Sequence, residues 1–144
     1  ARPGNYIFHD AFQAAIGSCG VDDVAFSILA AVIGMYPDRG EIVVNAGALA
    51  LSKDRGPVHV DPNCGYGLVA TPSGQHIQGL RIVSLTQELA VVRADSPELL
   101  DLFPIVSVMR IIPNHSCLAA ACFDRYHVVE DGEVVDEWKR VSGW

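Results

Sequence analysis

Short stretches rich in Val, Ile, Leu and aromatic residues follow one another along the chain, each closed by Gly, Pro, Asn, Asp or Ser. Few windows space their apolar residues at the three-to-four interval of a helix. Strands this short and numerous can bury one face each by curling into a barrel or stacking as a sandwich. The predicted fold class is therefore all-β, an antiparallel β-barrel or sandwich with a short helix or two. Residues 5–10 read as a first strand, and 24–36 as a long strand buried on both faces. Pro37-Asp38-Arg39-Gly40 supplies a tight reversal, after which 41–45 returns alongside. Residues 80–85, 89–94 and 105–112 continue the pattern, and Ser96-Pro97 reads as the start of a capped helical turn. The strongest hairpin signal joins 126–130 to 133–138 through Asp131-Gly132. Residues 53–78 break the rhythm: Gly, Pro, Asn and Ser are dense there, and only 66–70 reads as a strand. That segment is predicted to be a long irregular excursion, of the kind that often carries function.

With 144 residues, half of them hydrophobic, the chain can bury the core of one domain, and residues 1–144 read as a single β domain. Seventeen acidic against 10 basic residues give a net charge of -7, and no Lys/Arg block occurs. Nucleic acid is not an expected partner, since binding its phosphates takes clustered positive charge. The longest apolar run, 24–36, is interrupted by Ser27 and Gly34 and is shorter than the roughly 20 residues a spanning helix needs, so no membrane segment is expected. Ala1-Arg2-Pro3-Gly4 has neither an initiator Met nor the form of a signal peptide, and the chain is expected to be a piece of something longer, in the cytoplasm. The four cysteines form no Cys-x-x-Cys pair, which suits reduced thiols.

The chemistry-bearing stretch is Pro113-Asn114-His115-Ser116-Cys117, followed by Leu118-Ala119-Ala120-Ala121-Cys122-Phe123. On an extended backbone His115 and Cys117, two apart, point to the same side. An imidazole nitrogen and a thiolate sulfur together favour zinc over the oxygen-seeking magnesium or calcium. Two ligands leave the shell open to water, substrate or distant residues, which is the catalytic rather than the structural arrangement. The competing reading makes Cys117 a small core hydrophobe and His115 a hydrogen-bonded core histidine. His9 and His127 read as surface or satisfied positions, while His59 and His76 lie in the excursion, from which either could reach a metal. Lys53, with Asp54 beside it opposing a lowered pKa, reads as a surface lysine rather than a Schiff-base amine. Gly47 and its small neighbours read as close backbone packing without the spacing of a phosphate loop. Cys122, behind three alanines that favour a short helix, is expected in the core.

Several segments, taken together and in order, resemble the C-terminal domain of the D-serine dehydratase / D-threonine aldolase family, pyridoxal-phosphate enzymes of the alanine racemase type. They are Arg2-Pro3-Gly4-Asn5-Tyr6-Ile7-Phe8, the run from Val44-Asn45-Ala46-Gly47 through Leu51-Ser52-Lys53-Asp54, Pro113-Asn114-His115-Ser116-Cys117-Leu118, and Trp138-Lys139-Arg140-Val141-Ser142-Gly143-Trp144. The resemblance extends over the whole chain. It implies that a pyridoxal-phosphate barrel precedes this β domain and holds that cofactor. It also implies that His115 and Cys117 bind zinc or another divalent metal beside it, and that the substrate is a small D-3-hydroxy amino acid. The cysteine in the second ligand position leans toward dehydration over aldol cleavage. The whole enzyme is expected to be a homodimer, and this domain alone, which supplies neither the Schiff-base lysine nor the phosphate site, is expected to be inactive. At one place the chain departs from the family: Leu89-Ala90 follows Ser84-Leu85-Thr86-Gln87-Glu88 where His-Gly is usual. That departure, with the missing barrel, favours a second possibility, a non-catalytic β module for binding or assembly in which His115 and Cys117 are structural.

Overall fold

The computed structural model describes residues 4–141, so Arg2, Pro3, Ser142, Gly143 and Trp144 of the terminal motifs lie outside the described residues. Six strands, β1 (Ile28–Tyr36), β2 (Glu41–Val44), β3 (Gly67–Ala70), β4 (His76–Leu85), β5 (Ala90–Ala94) and β6 (Val108–Pro113), make up a closed barrel. Their order is β1-β2-β5-β4-β3-β6, and every neighbouring pair is antiparallel. The hairpin β7 (Arg125–Glu130) and β8 (Glu133–Lys139) turns at Asp131-Gly132 and forms its own two-stranded sheet. Three short helices, α1 (Ala11–Ala15), α2 (Ala48–Leu51) and α3 (Ser116–Ala120), fill the connections. The fold class read from the sequence stands, in its barrel form. No helix of the described residues is long and apolar enough to cross a membrane.

The barrel interior follows from period-2 alternation. Ile28, Ala30 and Val32 of β1, Ile42 and Val44 of β2, Leu80 and Ile82 of β4, Val92 of β5 and Met109 and Ile111 of β6 all point inward and are buried. In β4 the alternation slips: Ile82 pairs with Val92 and Ser84 with Val91, so Val83 is an extra residue, a β-bulge. The bulge turns Ser84 outward and buries Leu85 in its place. An aromatic cluster formed by Phe8, Phe26 and Tyr126, with ring centroids 5.5 to 6.0 Å apart, ties the N-terminal segment and the hairpin to the barrel.

Three sequence expectations are corrected. Residues 5–10 are no strand: Asn5–Ile7 is a turn of 3-10 helix, His9 adopts a left-handed φ of 55°, and the Asp10 side chain caps α1 by accepting from the Gln13 backbone N–H. Local side-chain bonding by Asn and Asp outcompetes the extended conformation there. The apolar run 24–36 becomes a strand from Ile28 onward, with Leu29 and Ile33 exposed, because a barrel wall buries one face where a parallel sheet would bury two. Ser96 and Pro97 do take the N-cap and first positions of a helical segment, the 3-10 helix Pro97–Leu102, but Ser96 makes no capping bond to it.

Gly65, just ahead of β3, has φ +62°, and a Cβ on it would collide with the backbone oxygen of Ile82. A left-handed residue pressed against another strand's backbone has no room for a side chain. Gly65→Ala is therefore expected to lower stability by about 1–3 kcal/mol in urea unfolding followed by circular dichroism.

Candidate metal centre

The stretch that carries His115 is fixed by what lies on either side of it. β6 stops at Pro113, which has no N–H for a continuing ladder. Ser116–Ala120 then forms α3, whose alanines suit a helix and whose Ala119 and Ala120 pack into the barrel core. The helix is held at both ends. At its start the Ser116 N–H donates to Oδ2 of Asp10 at 2.9 Å, and at its finish the Tyr126 hydroxyl donates to the Ala120 carbonyl at 2.9 Å.

Asn114 and Asp10, both fully buried, knit the surrounding segments together. The Asn114 side-chain amide nitrogen donates to the carbonyls of Arg55 and Gly65, 3.1 and 2.9 Å away, and the Asn114 backbone carbonyl accepts from the Phe12 N–H. Asp10 accepts from the Asn5 side chain, from the Gln13 N–H in α1 and from Ser116. The irregular excursion, the N-terminal turn and the β6–α3 junction are thus bound to one another around residues 114–116.

His115 occupies the N-cap position of α3, and its Nδ1 lies 2.7 Å from Oδ2 of Asp54. The two side chains keep 32% and 37% of their surface, so the pair is accessible. The His115 hydrogen bond, and next the Gly56 backbone N–H, hold the Asp54 carboxyl below the usual carboxylate range. Asp54 is the neighbour of His115 that the sequence does not single out: there it closes a family-like run and argues against a reactive Lys53, which is indeed exposed. The separation of 54 from 115 along the chain gives no local signal of the contact.

Cys117 lies in the first turn of α3 and is exposed. The extended-backbone argument for placing it beside His115 holds only as far as His115, whose N-cap dihedrals are extended (φ -137°, ψ 100°), since the chain turns helical from Ser116. The reading of Cys117 as a core hydrophobe fails, since its thiol is at the surface. Cys122 too is exposed, not core; its thiol bonds back to the Leu118 carbonyl at the open end of the helix.

The remaining candidates stay elsewhere. Among the described residues no three His, Cys, Asp or Glu side chains converge as a metal cage. His59 stacks edge-on against Phe12, His76 sits in β4 with its pKa pushed down by burial, and His127 lies 3.8 Å from Glu137 in the hairpin. Gly47 does mark close backbone packing: a Cβ there would fall 2.5 Å from the backbone of the β4–β5 turn. Leu89 belongs to that turn, and the fully buried Ala90 begins β5 opposite Val44 and Leu85. A cleft of about 370 Å³ between α1 and the excursion is lined by Ala11, Cys64 and Asn114 but not by His115, Cys117 or Asp54. An accessible imidazole with one nitrogen bonded to a carboxylate, and an exposed thiol two positions on, suit an open metal site whose other ligands come from solvent or substrate.

The chain matches the family model described as "Putative serine dehydratase domain" over residues 25–129. It is 38% identical to a D-serine dehydratase of Dictyostelium discoideum, covering 99% of this chain and 36% of that protein. To the D-threo-3-hydroxyaspartate dehydratase of Delftia sp. strain HT23 it is 37% identical, covering 99% of this chain and 39% of that protein. The chain therefore spans little more than a third of these curated relatives. An uncharacterized protein of Mycobacterium tuberculosis is 32% identical over 90% of this chain and 92% of its own length. In structure the chain superposes on the Delftia dehydratase with a TM-score of 0.88, at 35% identity, over 97% of this chain and 38% of that one. An alanine racemase-like protein of Idiomarina loihiensis gives 0.89 at 33% identity, over 97% and 38%. Solved structures of a D-threo-3-hydroxyaspartate dehydratase that the chain also matches include a histidine-to-alanine variant and a cysteine-to-alanine variant in a metal-free form, the substituted positions being two apart.

Removing the Asp10 carboxyl leaves the Ser116 and Gln13 N–H groups without their acceptor inside the protein. Asp10→Ala is expected to cost about 2–3 kcal/mol of unfolding free energy, read from the urea midpoint at constant slope.

Proposed function

The chain belongs to the serine dehydratase domain family, and we propose that it is the metal-carrying β domain of a pyridoxal-phosphate-dependent D-amino-acid lyase, with His115 and Cys117 as metal ligands. The single observation that carries this reading is the His115–Asp54 contact, which engages Nδ1 and leaves Nε2 for a metal on an accessible ring. The D-threo-3-hydroxyaspartate dehydratase variants add support, since a histidine and a cysteine with the spacing of His115 and Cys117 were substituted there and the cysteine variant is in a metal-free form. Zinc is the metal the nitrogen and sulfur donors favour.

When bound, the metal supplies a Lewis acid for a substrate hydroxyl, and pyridoxal phosphate, held by the part of the longer relatives that this chain does not span, supplies an electron sink at Cα. The chain's own contribution is to hold the donors still. Asp10 and Tyr126 fix the two ends of α3, Asn114 locks the excursion against the junction, and Asp54 bonds to the His115 ring. The reaction proposed for the whole protein is elimination of water from a D-3-hydroxy amino acid such as D-serine, in a homodimer. Because this domain brings no cofactor lysine of its own, it is inactive by itself.

A second reading rests on a different observation. The mycobacterial relative, 92% of which is covered, is about the length of this domain, which favours a non-catalytic β module in which His115 and Cys117 are structural.

Elemental analysis of the purified chain after dialysis against zinc separates the two. Near-stoichiometric zinc that disappears in a His115→Ala, Cys117→Ala double variant is the expected outcome. A folded chain that retains no zinc, or retains it equally in the double variant, refutes the assignment of these ligands.

A further inference from the structure

We propose that Asp54 is a positioning residue for His115: it fixes the proton of the neutral ring on Nδ1, so that Nε2 carries the lone pair a metal needs. The inference rests on the metal reading above and names the residue that makes His115 a ligand.

The geometry around Asp54 assigns each carboxylate oxygen its own donor. Oδ1 accepts from the Gly56 backbone N–H at 2.8 Å, and Oδ2 lies 2.7 Å from Nδ1 of His115. The Asp54 backbone N–H in turn donates to the Ser52 hydroxyl at 3.2 Å, so the residue sits in a turn that orients its side chain. Ser52 and Gly56, at either end of that turn, both take left-handed φ values, 62° and 49°. Gly56 is pressed against the junction, since a Cβ on it would lie 3.2 Å from the Asn114 carbonyl oxygen. No cation competes for Asp54 among the described residues: Lys53 is exposed and makes no ion pair, and the Arg55 guanidinium donates to the Pro62 carbonyl.

A carboxylate only accepts hydrogen bonds, so the ring nitrogen facing it must be the donor. The other nitrogen is then bare, and the negative charge behind the ring strengthens it as a ligand. Replacing Asp54 by Asn reverses this logic without changing the shape. Gly56 keeps its acceptor only if the amide oxygen takes the place of Oδ1, which puts the amide NH2 against Nδ1. Nδ1 must then accept, and the proton moves to Nε2, where it blocks the metal.

Two measurements on the full 144-residue chain and its Asp54→Asn variant test the proposal. Long-range proton–nitrogen NMR of the histidine rings, recorded at about pH 8.5 where imidazoles are neutral, reads the tautomer without any metal. Competition against a chromophoric chelator, with zinc alone as the probe, reads affinity. Expected are an Nδ1–H ring in the wild type, an Nε2–H ring in Asp54→Asn, and zinc binding about 10- to 100-fold weaker in the variant. The circular dichroism spectrum should be retained, since the Gly56 turn survives. A wild-type ring protonated on Nε2, or a variant with unchanged tautomer and affinity, overturns the proposal even where zinc binds. A wild-type ring protonated on Nδ1 that takes up no zinc overturns the metal reading instead, and the purpose assigned to Asp54 with it.

Discussion

Burying a carboxyl group is costly unless donors replace the water it gives up, and Asp10, with no exposed surface, has three. Two of them are backbone N–H groups at the start of different helices, Gln13 in α1 and Ser116 in α3. Helix starts have N–H groups without partners of their own, so a single acceptor between two of them satisfies both and fixes their separation. The N-terminal segment therefore acts as a strap over the β6–α3 junction. The position of His115, one residue before Ser116, is inherited from that arrangement.

The interactions that build the junction differ in kind from the one that faces solvent. Asp10 and Asn114 are sealed from water, where each hydrogen bond is hard to replace. The His115–Asp54 pair keeps about a third of its surface, and at that exposure a polar contact contributes little to folding. Its value lies in direction. A rigid, buried frame supports a pair that solvent and ligands can reach, which is how a site is held in place without being closed off.

Elements that announce themselves locally were legible in the sequence. The Asp131-Gly132 hairpin, the turn at 37–40, the irregular excursion with a strand near its centre and the all-β class all follow from turn chemistry and alternation. Where short polar side chains compete with an extended backbone, as at Asn5 and Asp10, a stretch that reads as a strand folded into a turn and a helix cap. The bulge at Val83 could not be read from β4 alone, because it is defined by pairing with β5. The same holds for the site. His115 and Cys117 are conspicuous in one dimension, but Asp54 reaches His115 only through the fold, and the helix that starts at Ser116 ends the extended backbone on which the pair was grouped. Cys122 shows the limit of composition: its apolar neighbours suggested burial, while the short helix leaves it at the surface.

Closure of the barrel also sets an order of events during synthesis. β1 pairs on one side with β2, which follows directly, but on the other with β6, residue Ile28 lying opposite Ile111. Pairing over so long a stretch of chain is slow, and it cannot begin until most of the domain has left the ribosome. Through that interval one edge of β1 stays unpaired, with Leu29 and Ile33 on a strand that offers its N–H and C=O groups to any neighbour. Asp10 and Ser116, farther apart along the chain than Ile28 and Ile111, can meet no earlier in synthesis. The junction, like the seam of the barrel, is thus built from contacts that become possible only late in synthesis.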